Sequence, residues 1–151
     1  MKNRQKNIEI KNKLINHLIV KGKKNKSETI ALKSFKTLQI DSKKSSKRLF
    51  QLALISNTPI FKINTITQKK QKKKKQKAKL IPAFISSKTS RTSFAIKFIL
   101  KTAKKKNLVF QGLKNEILMS SQNKGQAFET KKENQTQVFS TRSLFEYYRW
   151  H

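Results

Sequence analysis

Eight lysines fall within eleven residues, at Lys69, Lys70, Lys72, Lys73, Lys74, Lys75, Lys77 and Lys79, with no acid among them. Neighbouring ammonium groups in such a run lie about 7 Å apart or less, inside the Debye length of roughly 8 to 10 Å. Each pair then repels by on the order of 0.5 kcal/mol even in water. Beside phosphates the sign reverses, because each neutralised phosphate releases condensed counterions. A second set, Lys97, Lys101, Lys104, Lys105 and Lys106, follows helical spacing opposite Phe94, Ala95, Phe98, Ile99 and Ala103. Surface helices ordinarily mix signs to gain i, i+4 pairs, and this one has no carboxylate to offer. Lys23, Lys24 and Lys26 stand beside an expected helix start, where free backbone N–H groups also favour phosphate. A solvated loop, a localisation signal or an ordinary helix face would show the same lysines. The missing acids tip the reading toward a polyanionic partner.

Other chemistry is poorly provided for. The seven acids, Glu9, Glu28, Asp41, Glu116, Glu129, Glu133 and Glu146, never pair at a spacing suited to acid–base work or to a metal-dependent nuclease. His17 falls in a helical stretch and His151 is terminal, and three glycines build no phosphate-cradling loop. The absence of Cys excludes disulfides, thiolate metal sites and a cysteine nucleophile. No catalytic residue, cofactor or metal is therefore expected. Phe94, Phe98, Phe110, Phe128, Phe139 and Phe145 lie largely on helical stripes and are expected to pack in the core. Tyr147, Tyr148 and Trp150 crowd around Arg149, where they can dock on the body or lie against RNA bases and sugars.

Thirty-seven Lys and Arg against seven Asp and Glu give the 151-residue chain a net charge of +30. Ser42 to Lys114 holds 21 of the basic residues and none of the acids. Leu, Ile, Val and Phe number 41, enough for one small core that a partner helps to hold folded. One domain spanning 1–151 is expected. No apolar run approaches the roughly 18 residues of a membrane span, so membrane insertion is not expected. Lysine outnumbers arginine 32 to 5, which favours point-charge contact with a backbone over bidentate base reading. Codon bias would give the same ratio. Lys, Asn, Ile and Phe make up 68 residues, as A/T-rich codons would produce, which suggests an organellar or reduced genome.

The elements that must carry these groups can be read from periodicity. Ile10, Leu14 and Leu18 mark a first amphipathic helix that stops at Gly22. Asn25-Lys-Ser-Glu28 has the shape of a capping box ahead of Ala31, Phe35 and Leu38. Leu49, Phe50, Ala53 and Leu54 mark a third helix that ends before Pro59. Ile60–Ile66 and Lys79–Ile85 read as the two antiparallel strands of a ribbon arm at about 58–86, with Pro82 tolerated because each strand is an edge. A fourth helix runs from Thr92 and a fifth from about Phe110 to Gln122, stopping at Asn123-Lys-Gly125. Thr130-Lys-Lys-Glu133 reads as the capping box of a last helix running through Val138, Leu144, Phe145 and Tyr148. The expectation is a mainly α fold, a six-helix bundle with a protruding two-stranded antiparallel β-ribbon.

Several of these segments, in this order, resemble the bacterial-type small-subunit ribosomal protein S-seven family. They are Val20-Lys-Gly-Lys-Lys24, Ala95-Ile-Lys-Phe-Ile99 with Ala103-Lys-Lys-Lys106, Asn123-Lys-Gly125, Lys131-Lys-Glu-Asn134 and Phe145-Glu-Tyr-Tyr-Arg-Trp150. Pro59 and Pro82 fall where that family's ribbon begins and returns. The resemblance runs from roughly Leu14 to Trp150. It implies a structural constituent of the small ribosomal subunit that binds the 3′ major (head) domain of small-subunit rRNA and promotes head assembly.

Carried over by position, the resemblance places Lys23, Lys24, Lys26, Arg91, Lys97, Lys101, Lys104, Lys105, Lys106, Lys131, Lys132 and Arg149 against rRNA. The ribbon tip, Lys69 to Lys79, would lie near the mRNA exit path and exit-site tRNA, with neighbouring small-subunit proteins as further partners. The tip departs from the family pattern in having no Gly, and Ser and Thr near Ser86 to Ser90 stand where arginines are usual. Such drift suits an organelle, with the mitochondrial matrix expected and the plastid as the alternative. Family-like sequence starting within about a dozen residues of Met1, together with Glu9, speaks for encoding inside the organelle rather than import. The rival reading is a basic organellar DNA-compacting or general nucleic-acid-binding protein, which the capping signals and the helix-and-ribbon order fit less well.

Overall fold

A computed structural model describes residues 2–66 and 79–147 of the chain. The order is α1 (Lys2–Leu18), α2 (Lys24–Ser42), α3 (Ser46–Asn57), β1 (Phe61–Ile66), β2 (Lys79–Phe84), α4 (Lys88–Ala103), α5 (Val109–Ser121) and α6 (Gln126–Ser140), closed by a 3₁₀ segment (Arg142–Tyr147). Among the described residues the fold is mainly helical, with six α-helices and one two-stranded antiparallel sheet, as the periodicity predicts. The lysines from Lys69 to Lys77, with Tyr148, Arg149, Trp150 and His151, lie outside the described residues.

The core gathers one stripe from each helical stretch. Leu14, Leu38, Ile96, Ile99, Leu113 and Ile117 are fully buried at its centre. On α2 the inward stripe is Ser27, Ala31, Ser34 and Leu38. Its two serines are harmless there because each hydroxyl donates to the carbonyl one turn back, Ser27 to Lys23 and Ser34 to Ile30. Phe35 meets Phe50 of α3 edge to face, with ring centroids 5.4 Å apart. The helices α4 and α5 approach closely at Gly112, where a Cβ would lie 2.6 Å from the Ala103 carbonyl oxygen. Only glycine fits that crossing.

Turn chemistry punctuates the chain where expected. Lys21 and Gly22 take φ of +52° and +72° after α1. α5 ends in a Schellman motif with Asn123 left-handed at φ +58°, Lys124 N–H donating to Met119 O at 3.0 Å and Asn123 N–H to Ser120 O at 3.1 Å. α3 stops at Asn57, ahead of Pro59. In the ribbon Ile63 pairs with Pro82 and Phe61 with Phe84. The described strands are seated on the body: β1 packs on α6 and β2 on the 3₁₀ segment, and Ile81, Pro82 and Ala83 are buried.

Four expectations need correction. Neither capping box forms. α2 begins at Lys24 and α6 at Gln126, so Asn25 and Thr130 lie inside their helices. Thr130 Oγ1 instead donates back to Gln126 O at 2.8 Å, the usual alternative for a hydroxyl within a helix. α4 starts at Lys88, before Thr92, because its first turn is polar and carries no apolar period. The last helix breaks at Ser140, and Leu144 and Phe145 belong to the 3₁₀ segment. Phe139 is 66% exposed, while Phe94, Phe98, Phe110, Phe128 and Phe145 are only half-buried, so these aromatics line the edges of the core rather than fill it.

Candidate nucleic-acid interface

The inward stripe of α4 is Ala95, Ile96, Ile99, Leu100, Thr102 and Ala103. Burying it forces Lys97 and Lys101 to the opposite, exposed side. Lys104 closes the helix and Lys105 and Lys106 follow in a turn, all three exposed. α1 packs against α4, and that contact places His17 in the field of Lys97 and Lys104 from α4 and Lys13 from its own helix. Partial burial first, then these three cations, push the imidazole below its ordinary value of 6.5. Positive charge from both helices therefore acts on His17 at the α1–α4 seam.

Just past the end of α1, Lys23, Lys24 and Lys26 are exposed at the start of α2. Lys24 leans toward Glu28 at 3.8 Å, a loose, exposed pair that offsets little charge. The other ion pair among the described residues joins Lys114 Nζ to Asp41 at 2.6 Å, across α5 and α2. Neither pair involves the lysines of α4.

Other expected contact residues serve the fold. The Arg91 Nε–H donates to Ile85 O at 2.6 Å and its guanidinium lies 5.0 Å from the centre of the Phe84 ring, so Arg91 clamps the ribbon base to α4. Phe61, which pairs with Phe84, also meets Phe145 of the 3₁₀ segment at 5.6 Å. The Lys131 ammonium donates to Ser56 O at 2.6 Å, satisfying a carbonyl at the C-terminal end of α3, where a cation is favoured. Burial holds its pKa below the usual lysine range. Lys132 beside it is exposed. Lys79 lies in β2 at the edge of the described ribbon, paired with Ile66.

Thus Lys97 and Lys104 both act on His17 of α1, while Arg91 and Lys131 stand at separate structural joints. Sequence reading missed Lys13 and His17 as members of the seam. Their i, i+4 spacing on α1 was visible, but the helix they would face was not.

Exposed lysines on α4 and at the start of α2, on a mainly helical body with a paired ribbon, form a surface suited to a polyanion backbone. The chain belongs to the family described as Ribosomal protein S7p/S5e, whose model matches residues 1–141. It is also similar to the small ribosomal subunit protein uS7c of Euglena longa, at 33% identity over 123 residues. That match covers 79% of this chain and 65% of the relative, so the chain spans a little under two thirds of that protein's length. The family match begins ahead of Leu14 and stops before Phe145-Glu-Tyr-Tyr-Arg-Trp150, so the closing aromatic segment lies outside the matched span.

Proposed function

We propose that this chain is a structural rRNA-binding protein of an organellar small ribosomal subunit, with no catalytic role. It binds the 3′ major (head) domain through the α1–α4 seam and the lysines at the start of α2. The observation that carries the reading is the membership of a ribosomal protein family by a chain whose α4 lysines are exposed and have no acid partner among the described residues. Phosphate contact would fix position on folded RNA, and the rigid spacing of the cations would favour a folded junction over an open one. By linkage, the RNA stabilises the protein. On the same reading, Lys69 to Lys79 are assigned to the neighbourhood of the mRNA exit path and exit-site tRNA. Neighbouring small-subunit proteins complete its surroundings.

For the compartment, the likeness to a plastid-type protein supports the plastid over the mitochondrion. No described helix is long and apolar enough to cross a membrane. Sucrose-gradient sedimentation of organelle lysates tests the assignment. Co-sedimentation with the small subunit, persisting in moderate salt, is expected. Recovery only in soluble fractions or with the large subunit would refute it. Competition between a head-domain rRNA fragment and duplex DNA separates this reading from DNA compaction, since equal affinity for both would favour the latter.

A further inference from the structure

Away from the α1–α4 seam, the end of α2, the start of α3 and the end of α5 enclose a cleft of about 640 Å³. Its floor is aliphatic, with Leu49 and Leu118 set beside the half-exposed Leu52. Ile55, one turn on from Leu52 along α3, is 71% exposed, and Met119, next to Leu118 in α5, is also exposed. The two helices that carry it are locked together at one end, where Ser56 Oγ donates to Ser120 O at 2.6 Å. The surface is therefore preformed. Lys44 and Arg48 stand on its rim, both exposed and neither in an ion pair among the described residues, whereas the rim carboxylate of Asp41 is already held by Lys114.

We infer that this cleft docks a protein segment that presents apolar side chains flanked by carboxylates, supplied by a neighbour in the small subunit. The inference rests on the ribosomal reading above. Charge complementarity selects the occupant: the free cations of the rim call for acid, and the aliphatic floor calls for buried methyl and methylene groups. RNA fits less well. A phosphate backbone would meet the rim cations but leave the aliphatic floor of Leu49, Leu52 and Leu118 uncovered. Exposed aliphatic side chains such as Leu52 on the cleft's own helices are also better covered by protein than left to solvent.

The test replaces Ile55 by a photocrosslinking amino acid in the full-length chain assembled into small subunits. Ile55 is exposed, so the fold is undisturbed. Irradiation is expected to give a crosslink to another small-subunit protein, mapped by mass spectrometry to a segment rich in Leu or Ile and Asp or Glu. Arg48→Glu in the same chain is expected to lower that yield several-fold, while the isolated protein binds the head-domain rRNA fragment with affinity changed by no more than about twofold. A crosslink to rRNA, or none in subunits that contain the protein, overturns the inference and leaves the ribosomal assignment standing. Failure of the protein to enter the small subunit overturns both.

Discussion

A carboxylate oxygen of Glu116 accepts the backbone N–H of Ala127 at 2.8 Å, so α5 provides the N-terminal cap that α6 lacks in its own sequence. Glu116 is one of seven acids in the chain and is almost fully buried. Gly125 makes the approach possible, since a Cβ there would lie 2.9 Å from the same oxygen and the backbone holds φ at +99°. Glu116→Ala removes a charge-assisted bond at a helix start and is expected to lower stability by about 2 to 3 kcal/mol in urea unfolding. Glu116→Gln keeps an acceptor and should cost less.

Gly112→Ala is expected to destabilise by about 1 to 3 kcal/mol, read as a lower thermal midpoint. The methyl group would meet a backbone oxygen at 2.6 Å, and moving that oxygen means moving α4 against α5. An unchanged midpoint would show that the crossing is looser than described.

Lys131 and Lys101 should separate cleanly. Lys131→Met removes the bond to Ser56 O and is expected to lower stability by about 1 kcal/mol, discounted for partial exposure, with little effect on RNA affinity. Lys101→Gln, on the exposed side of α4, should do the reverse. Unfolding and filter-binding measurements on the two variants check this directly.

His17 is expected to make stability depend on pH. Its folded-state pKa lies below 6.5, so between the two values the unfolded chain binds more protons and stability rises with pH. Stability therefore falls as pH drops through 6.5, and His17→Gln should flatten that slope in urea melts taken from pH 5 to 7.5. Phosphate at the seam would favour the imidazolium, so rRNA affinity should move the opposite way and tighten as pH falls.

The stop of α3 before Pro59, the paired strands and the two faces of α4 were legible because each is a local matter of proline geometry or apolar period. What escaped was long-range. The cap of α6 comes from α5, so Thr130-Lys-Lys-Glu133 imitates a start signal inside a helix that already has one. The acceptor of Lys131 lies 75 residues away, and nothing in Lys131-Lys-Glu-Asn134 distinguishes a lysine turned inward from one turned to solvent. Phe139 keeps the helical period but falls past the edge of the packed surface. α1 reaches back to Lys2 through polar residues that carry no period.

The central claim is that the exposed lysines of α4 touch RNA phosphate. The most direct measurement is the salt dependence of binding to the head-domain rRNA fragment, for the native chain and for Lys97→Gln, Lys101→Gln and Lys104→Gln combined. Each lost phosphate contact should make the slope of log K against log salt shallower by about 0.7 to 0.9, so a reduction of roughly 2 is expected with the fold intact. An unchanged slope and affinity would contradict the account.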